Sequence, residues 1–504
     1  MRPPASTETG AATAADADRR AWLEATYGRY RELVDDWRGF LDALCAPHVT
    51  CVWAHPLRPP ATELARILSE AGRFTPEPIV WAPGAFRLRG ARGPGDHWAY
   101  RAGLYQVQEE ASLVPAALLA AAPGERVLDL CAAPGNKTAQ LALALGSRGT
   151  VVANDRNASR LPAIQNVIDR LGLCNVTITC HDGATYPLAA GPFDKVLVDA
   201  PCSAEGTARK LSPGRAVDEH FRSSIRGVQR ALLRRALALT RPGGRVVYST
   251  CTFAPEENEL VIDAVLRAQP DAARLCPARI DGFAGGPGIT TWHGHALSPD
   301  LDRCLRVWPH LSDTDGFFAA VLERGDAPVL AEQEDRTAPD PTRGAATDPL
   351  ADAIPATLHP RIAALCERHE IPPEAFDDLV ALRRGRYLRL LSADHEPPRG
   401  LSPRAFGLPA VSAKSSQPRL STAGALAFGA AARRDRVSLD PTQTRAYHAG
   451  ASVALAATRH ADHGPGGYVV VCRRDGPPLG AGLLRGRAPE LVLESQYPTA
   501  WRRV

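Results

Sequence analysis

The sequence predicts an α/β fold in which helices cover both faces of a largely parallel sheet. Short apolar strands alternate with helical segments between residues 109 and 249, and this alternation is typical of βαβ units. Gly146, Gly172 and the pair Gly243–Gly244 follow predicted helices, where glycine commonly ends a helix. The chain has 504 residues, which exceeds one ordinary core, so we expect several domains.

The elements of the sheet follow one another in regular order. A helix over residues 109–119 precedes the first strand. The predicted strands are 127–130, 150–153, 176–179, 196–199 and 245–249. The predicted helices between them are 138–145, 157–171 and 217–239. Since the strands are apolar along most of their length, we expect both faces of the sheet to be buried.

The sheet is organised around residues 127–138, Val-Leu-Asp-Leu-Cys-Ala-Ala-Pro-Gly-Asn-Lys-Thr. They predict a strand, a tight turn and a helix start at the edge where open α/β sheets bind ligands. Small residues let the backbone approach a ligand, and the helix start offers free N–H groups. The spacing matches neither a P-loop nor GxGxxG. By itself it is compatible with a structural turn or with a cofactor site.

Two later strands each end near a cysteine. Residues 196–207 contain Asp-Ala-Pro-Cys-Ser around Cys202, and residues 246–258 contain Tyr-Ser-Thr-Cys-Thr around Cys251. With Cys-Ala-Ala-Pro-Gly-Asn-Lys-Thr at residues 131–138, these motifs resemble the RNA cytosine-5 methyltransferases of the Sun/NOP family, bacterial ribosomal-RNA type. The resemblance covers about residues 75–325 and is weaker at the C-terminus. It implies a Rossmann-like class I methyltransferase sheet and S-adenosylmethionine as cofactor.

Three aspartates follow successive strands of the predicted sheet. Asp155 could accept both ribose hydroxyls of an adenosine, Asp182 could accept from an adenine amino group, and Asp199 would lie beside the methyl donor. A lone strand-end aspartate more often caps a turn, but three in one sheet favour a ligand site. The predicted cofactor-binding residues are Cys131, Ala132, Ala133, Pro134, Gly135, Asn136, Lys137, Asp155, Asp182 and Asp199.

The cysteines indicate the reaction. Carbon 5 of cytosine becomes nucleophilic after a thiolate adds to carbon 6, which is covalent catalysis. The residues alone leave open which thiol attacks, and a Pro-Cys pair by itself would favour Cys202. The resemblance assigns Cys251 as nucleophile, Cys202 as the residue that assists release, and Asp199 as partner of ring nitrogen 3. Eight further cysteines are predicted to be inert apolar residues: Cys45, Cys51, Cys174, Cys180, Cys276, Cys304, Cys366 and Cys472.

The regions around the sheet suggest further domains. We predict a disordered tail over 1–18, a helical and small α+β region over 19–100, the methyltransferase domain over 101–325, a linker over 326–356 and a helical connector over 357–415. The resemblance to the family implies RNA binding by residues 19–100 and a PUA-like RNA-binding β-barrel over 416–504. In the second region we expect a helix pair over 19–45, strands 49–53 and 79–81, and a helix over 61–71. An Asp-Gly turn at residues 475–476 predicts a hairpin.

Two arginine-rich segments leave alternatives open. Arg222, Arg226, Arg230 and Arg234 fall on one face of the helix 217–239, either as a solvated basic face or as a phosphate track. The arginines of residues 383–440 suit an RNA platform, or the domain serves stability alone. At residues 52–58 the family usually has an Arg-Val-Asn-Thr-Leu-Lys-like string, which this chain lacks, so no RNA contact is assigned there.

Composition limits the class of protein. No apolar run reaches membrane-span length, the N-terminus lacks the form of a secretory signal, and the absence of CxxC pairs disfavours a zinc ribbon. We expect a cytoplasmic monomer with reduced thiols, no metal and no membrane partner. A formal charge of +4 does not by itself indicate nucleic-acid binding.

The predicted function is S-adenosylmethionine-dependent methylation of cytosine carbon 5 in RNA. Ribosomal RNA, free or within an assembling subunit, is the expected substrate, and transfer RNA is the alternative. A non-catalytic RNA-binding ribosome-assembly factor is a second alternative, which the presence of Cys202, Cys251 and Asp199 disfavours. A small-molecule methyltransferase is a third, disfavoured by the arginine-rich helix and the additional C-terminal domain.

Overall fold

The computed structural model describes residues 14–89, 93–146, 148–210, 219–329, 349–455, 467–474, 476–486 and 490–502. Most of the predicted tail at 1–18 and the middle of the predicted linker at 326–356 lie outside these residues. A helix already begins at Ala14, inside the predicted tail. In the described part of the chain, no helix is long and apolar enough to cross a membrane.

The helices and strands are numbered along the described chain. The helices are α1 Ala14–Tyr27, α2 Trp37–Cys45, α3 Ala61–Ser69, α4 Trp98–Arg101, α5 Val114–Leu119, α6 Asn136–Ala144, α7 Leu161–Leu171, α8 Glu219–Leu239, α9 Glu259–Ala268, α10 Pro309–Ser312, α11 Pro360–His369, α12 Thr422–Phe428, α13 Pro441–His448 and α14 Thr499–Arg502. The strands are β1 Thr50–Ala54, β2 Pro76–Pro78, β3 Ala85–Leu88, β4 Tyr105–Gln108, β5 Arg126–Asp129, β6 Thr150–Asn154, β7 Val176–Thr179, β8 Phe193–Asp199, β9 Thr240–Thr250, β10 Ala273–Cys276, β11 Gly286–Pro287, β12 Thr291–Trp292, β13 His295–Ala296, β14 Leu305–Val307, β15 Phe317–Arg324, β16 Ile354–Pro355, β17 Leu379–Arg384, β18 Tyr387–Ser392, β19 Ala405–Phe406, β20 Leu408–Ser412, β21 Arg436–Leu439, β22 Val453–Leu455, β23 Gly467–Arg473, β24 Pro478–Arg485 and β25 Leu491–Ser495.

The central sheet confirms the predicted α/β class. Strands β9, β8, β5, β6 and β7 lie side by side in that order and are parallel. The antiparallel strand β15 continues the sheet beyond β9. The chain proceeds from β5 outward to β6 and β7, and then crosses back to β8 on the other side of β5. The strand order therefore reverses beside β5, which is where ligands bind in open α/β sheets.

Helices cover both faces of this sheet, as predicted. Side chains alternate along each strand, so Val127 of β5 packs in the core that contains α5, α6 and α7. Its neighbour Leu128 packs in the core that contains α8 and α9. All four residues of β7 and all five of β6 are buried. Burial on both faces explains why these two strands carry no charged residue.

The N-terminal sheet has the order β2-β3-β1-β4. The strand predicted at 79–81 is wrong, because these residues form a turn in which Ile79 N–H donates to Ala85 O over 3.0 Å. The Pro83–Gly84 pair, with Gly84 at a φ of +86°, marks this turn. Strand β4 pairs with β1, so this sheet extends past residue 100, where the sequence predicted the domain to end.

The C-terminal part contains two more sheets. Residues 357–415, predicted as a helical connector, instead contribute β17, β18 and β20 to a four-stranded sheet and only one longer helix, α11. The last sheet has the order β21-β23-β24-β25-β22. It contains the predicted hairpin as β23 and β24, although residue 475 of the turn lies outside the described residues. This β-rich region is consistent with a PUA-like domain.

A short C-terminal strand completes the central sheet. Strand β19 pairs antiparallel with β7, with Arg404 N–H donating to Ile178 O and Gly407 N–H donating to Val176 O, both over 2.9 Å. The buried His395 Nε2 lies 2.7 Å from Thr177 Oγ1. The C-terminal region is thus bonded directly to the edge of the central sheet.

Candidate active site

Two cysteines meet at the carboxyl edge of the central sheet. Cys202 follows β8 and Cys251 follows β9, and these strands are parallel neighbours in register from Lys195 beside Arg245 to Asp199 beside Ser249. The Sγ atoms of the two cysteines lie 3.4 Å apart. The sequence placed each cysteine at this edge, and the structure brings the two sulfurs into direct contact.

The surroundings of the sulfur pair change the pKa of the Cys202 thiol. The hydrogen bond with Cys251 and then burial raise the pKa of Cys202 well above that of an ordinary thiol, and the nearby Glu257 carboxylate adds to the rise. Cys202 therefore retains its proton at neutral pH. A thiol that keeps its proton can donate a hydrogen bond to the neighbouring sulfur.

An ion pair lies in the cleft beside the cysteines. Lys137 Nζ is 2.7 Å from Asp199 Oδ2, and Ser249 Oγ donates to Asp199 Oδ1 over 2.9 Å. Burial opposes the charge on Lys137, but the Asp199 carboxylate outweighs it, so the pKa of Lys137 is raised. The site therefore presents a fixed cation and a carboxylate whose two oxygens already accept hydrogen bonds.

The turn of residues 131–138 holds its shape through backbone contacts. Gly135 has a φ of +106°, and a Cβ there would lie 3.0 Å from the Cα of Ile164, so only glycine fits without strain. Ala132 N–H donates to Asn154 O over 2.7 Å. Helix α6 begins directly afterwards at Asn136. The first N–H groups of this helix point toward the edge of the sheet that bears the cysteines.

A cavity of about 220 Å³ opens at this turn. It is lined by Gln108, Glu109, Ser112, Asp129, Cys131, Ala132, Ala133, Pro134, Asn136, Lys137 and Asp199. The turn residues and Asp199 were predicted, whereas Gln108, Glu109, Ser112 and Asp129 were not. The polar run Gln108–Glu109–Glu110 could have indicated these lining residues. It was interpreted only as the start of a predicted helix.

Asp155 and Asp182 lie at the predicted strand ends but outside the lining of this cavity. Asp155 is buried, and its Oδ2 accepts from Ala133 N–H over 3.3 Å while its Oδ1 accepts from Asn157 N–H over 2.9 Å. Asp182 is exposed, and its Oδ1 caps the following turn by accepting from Ala184 N–H over 2.9 Å. Asp155 thus holds the turn of residues 131–138 in place. The other carboxylate oxygen of Asp182 has no hydrogen-bond donor among the described residues and could accept from a ligand.

Two acids that line the cavity, the buried Asp129 and the half-buried Glu109, have raised pKa values. Asp129 Oδ2 accepts from Thr138 Oγ1 over 2.7 Å, whereas its Oδ1 is buried without a hydrogen-bond partner among the described residues. Burial raises the pKa of Asp129 to about 7. Burial and then the Asp315 carboxylate raise the pKa of Glu109 to about 7. An unpaired buried carboxylate oxygen is costly, so a ligand that donates a hydrogen bond or carries positive charge fits this cavity.

The N-terminal helices hold the loops that carry both cysteines. Tyr30 OH bonds the buried carboxylate of Glu205, three residues after Cys202, and Tyr27 OH donates to Glu205 O over 3.0 Å. Phe253, two residues after Cys251, packs in the same aromatic cluster as Tyr27 and Tyr30. The helix pair predicted over 19–45 therefore packs on the two loops that carry the cysteines.

The two loops are also bonded to each other and to α8. Gly206 N–H donates to Cys251 O over 2.9 Å. Ser203 N–H donates to Glu257 Oε2 over 2.9 Å, and Gln229 Nε2 donates to Pro201 O over 2.9 Å. Each loop therefore depends on the other for its position. No group of three or more His, Cys, Asp or Glu side chains placed to hold a metal occurs among the described residues.

Comparison with known proteins also indicates a methyltransferase domain. The sheet order, the glycine turn and the cavity define a Rossmann-like methyltransferase domain. Residues 116–323 match the family model described as 16S rRNA methyltransferase RsmB/F. This match covers less than half of the chain, and it agrees with the resemblance of the three sequence motifs to the Sun/NOP family.

Several curated proteins resemble the chain over this region. The 28S rRNA (cytosine-C(5))-methyltransferase of Mus musculus is 33% identical over 291 residues, which are 56% of this chain and 36% of that protein. Ribosomal RNA small subunit methyltransferase F of Escherichia coli O127:H6 is 35% identical over 301 residues, 58% of this chain and 60% of that protein. The chain thus spans between about a third and 60% of these relatives.

A solved structure supports the same fold. The methyltransferase homologue from Pyrococcus horikoshii is similar with a TM-score of 0.54 and 29% identity, covering 62% of this chain and all of that chain.

Proposed function

We propose that this protein methylates carbon 5 of cytosine in ribosomal RNA, with S-adenosylmethionine as the methyl donor. The observation that carries the proposal is the contact of the Cys202 and Cys251 sulfurs, 3.4 Å apart, beside the Lys137–Asp199 pair. The relatives named for ribosomal RNA cytosine-C5 methylation support the substrate. A ribosomal RNA substrate also supports a cytoplasmic location, where we propose that the enzyme acts as a monomer.

The cavity at the glycine turn fits the methyl donor. The backbone of residues 131–137 would hold the methyl donor, and Asp155 and Asp182 would face its adenosine end. Asp129 Oδ1, which has no hydrogen-bond donor among the described residues, could accept a hydrogen bond from it. When bound, S-adenosylmethionine supplies an electrophilic methyl group. The carboxylates of Asp129 and Asp199 favour a positively charged ligand here, because opposite charges attract strongly in a cleft with little water.

Cys251 is the proposed nucleophile. Its thiolate adds to carbon 6 of the cytosine, and the displaced electron pair makes carbon 5 an enamine-like carbon that takes up the methyl group. The resemblance of the motifs supports the attacking role of Cys251, and the raised pKa of Cys202 leaves that residue as a proton donor. Asp199 and Lys137 are placed to hold the polar edge of the base, with Asp199 opposite ring nitrogen 3.

Release of the product needs a proton transfer. After methylation, carbon 5 carries both the methyl group and a hydrogen. The proton at carbon 5 passes to a base as the double bond between carbons 5 and 6 re-forms, and the bond from carbon 6 to sulfur breaks as its electron pair returns to Cys251. We propose that Cys202, in contact with that sulfur, donates its thiol proton to the leaving sulfur, and that the resulting Cys202 thiolate or a water molecule takes up the proton from carbon 5. This division of work makes Cys202 the release residue.

The flanking regions have proposed roles in RNA binding. A cytosine must leave its stack to reach a half-buried thiol, which favours single-stranded or opened RNA. We assign the contacts to the N-terminal region of residues 19–100 and to the C-terminal residues 416–504, whose β-rich sheet suits a PUA-like RNA-binding domain.

The order of the chemical steps gives the decisive experiment. The Cys202→Ala variant should still attack and methylate the cytosine but should release the RNA slowly. A covalent protein–RNA complex should therefore accumulate as a retarded band on a denaturing gel. Cys251→Ala and the double variant should form none. Cys276→Ala, which alters a half-buried cysteine in β10, is the matched control and should behave as wild type. A trapped band with Cys251→Ala would reverse the two roles.

Bisulfite sequencing of total RNA from cells with and without the gene identifies the substrate. A cytosine protected only in cells with the gene, and located in ribosomal RNA, is the expected result. A protected site confined to transfer RNA would replace the proposed substrate. Turnover by both single cysteine variants without any trapped complex would exclude the covalent mechanism.

A further inference from the structure

The predicted basic face of α8 divides into two parts in the structure. Arg222, with a side chain only 13% exposed, pairs through Nη2 with Glu205 Oε1 at 2.8 Å and so belongs to the fold. Arg226, Arg230 and Arg234 are half-buried on the following turns. Within the described residues, none of these three forms a hydrogen bond or an ion pair with an acidic side chain.

The three arginines affect one another. Burial and then the charges of Arg226 and Arg234 lower the pKa of Arg230 below its ordinary value. The Nε–H of Arg230 is buried and has no hydrogen-bond partner among the described residues. Three adjacent positive charges and an unpaired buried donor both cost free energy. A bound anion would offset both costs.

The row formed by Arg226, Arg230 and Arg234 begins beside the loop that carries Cys202. Helix α8 touches that loop twice, through Arg222 on Glu205 and through Gln229 on Pro201 O. Arg226 lies between these two contact residues in sequence and is therefore level with the Cys202 loop along the helix axis. A rise of about 1.5 Å per residue sets Arg230 and Arg234 about 6 and 12 Å further along. The row thus leads away from the sulfur pair along one flank of the helix.

We propose that Arg226, Arg230 and Arg234 bind consecutive backbone phosphates of the RNA strand that flanks the target cytosine. The inference rests on the proposed function, since a flanking strand exists only for a polynucleotide substrate. Contacts to phosphates set register and orientation without selecting sequence. The row would hold the strand while the target base occupies the cleft at the cysteines, and Arg222 has no part in this contact.

A charge-matched pair of triple variants tests the surface. The first variant carries Arg226→Gln, Arg230→Gln and Arg234→Gln. The control loses the same charge at three exposed arginines that each pair with a carboxylate: Arg241, Arg267 and Arg274, each changed to Gln. The probe is a fluorescein-labelled single-stranded RNA of mixed sequence, and binding is measured by anisotropy over a salt series.

The expected result separates the two variants. The first should bind RNA about tenfold or more weakly at low salt, and its plot of log affinity against log salt should be shallower by about 2, since three phosphate contacts are lost. Its S-adenosylmethionine affinity by calorimetry should stay within about twofold of wild type, which shows that the protein is folded. The control should retain the wild-type salt slope. Equal affinity and slope in the two variants would overturn the proposal.

Other outcomes distinguish this surface from the proposed function. Wild-type protein that binds RNA through this row but methylates no cytosine would refute the proposed function and leave the surface assignment standing. Methylation by wild type, with RNA binding by the first variant equal to the control, would refute the surface alone. Loss of binding to an acidic peptide with unchanged RNA binding would assign the row to a protein partner and overturn the proposal.

Discussion

Gly206 joins the two cysteine loops at a point where no side chain fits. A Cβ at this position would lie 2.8 Å from Cys251 O and closer still to the carbonyl oxygen of Gly316. Both obstacles are backbone atoms, which cannot rotate away as a side chain can. Gly206→Ala must therefore displace the Cys251 loop, the start of β15, or both.

The cost follows from two terms. Overpacking at a rigid site costs about 1–3 kcal/mol. Loss of the 2.9 Å hydrogen bond from Gly206 N–H to Cys251 O costs about 0.5–1.5 kcal/mol. We therefore expect Gly206→Ala to lower the free energy of unfolding by about 2–4 kcal/mol. A shift of about 1 Å in a reacting group can reduce a rate about a hundredfold, so turnover should fall more than stability alone explains.

Two assays with one control separate these effects. Urea unfolding measures stability, and the yield of trapped protein–RNA complex in a Cys202→Ala background measures attack by Cys251. The control is Gly227→Ala in α8, where a Cβ meets no atom within 4 Å. Removing a helix glycine should stabilise that variant by about 0.5–1 kcal/mol. Wild-type stability and wild-type adduct yield in Gly206→Ala would refute the reasoning.

Three further predictions follow from the site and the sheet. Asp155→Ala should weaken S-adenosylmethionine binding by about 1–3 kcal/mol, because the turn loses an anchor and the ligand an acceptor, and calorimetry with unchanged affinity would contradict it. Burial raises the pKa of Asp129 from 3.8 to about 7, so ligand-free wild type should lose stability as pH rises from about 4 to 7, because the folded state then holds the extra proton. Asp129→Asn should lack this loss and exceed wild type by up to about 4 kcal/mol at pH 8, and parallel urea stability profiles would refute it. Truncation after Ala356 removes β19 and exposes the edge of β7, so we expect a lower Tm and aggregation, whereas a monomeric fragment with wild-type Tm would count against this pairing.

Local patterns accounted for much of the fold. Alternating apolar strands and helices predicted the five parallel strands of the central sheet to within a few residues, because each is buried on both faces and is apolar for that reason. The glycine turn at residues 131–138 was predicted because its conformation depends on neighbouring residues and on Gly135. The strand predicted at 79–81 was wrong, because Pro83–Gly84 forms a turn that the apolar run concealed.

Pairings between distant segments could not be predicted in this way. Strand β4 joins β1 across about fifty residues, and β19 joins β7 across more than two hundred. Both strands are short, and their composition does not indicate which strand each of them pairs with. The N-terminal helix pair was likewise recognised from its apolar spacing, but its packing on Glu205 and Phe253 depends on where other segments bring those residues.

The sequence by itself determined the class of fold and the edge of the sheet at which the two motif cysteines lie. These follow from the residue types and their short-range spacing. Only the tertiary structure decided that the sulfurs of Cys202 and Cys251 touch and that Lys137 pairs with Asp199. It also decided that Arg222 is paired, whereas the next three arginines of α8 have no acidic partner among the described residues. Such contacts depend on strand register and loop packing between segments far apart in the chain, and local spacing carries no information about them.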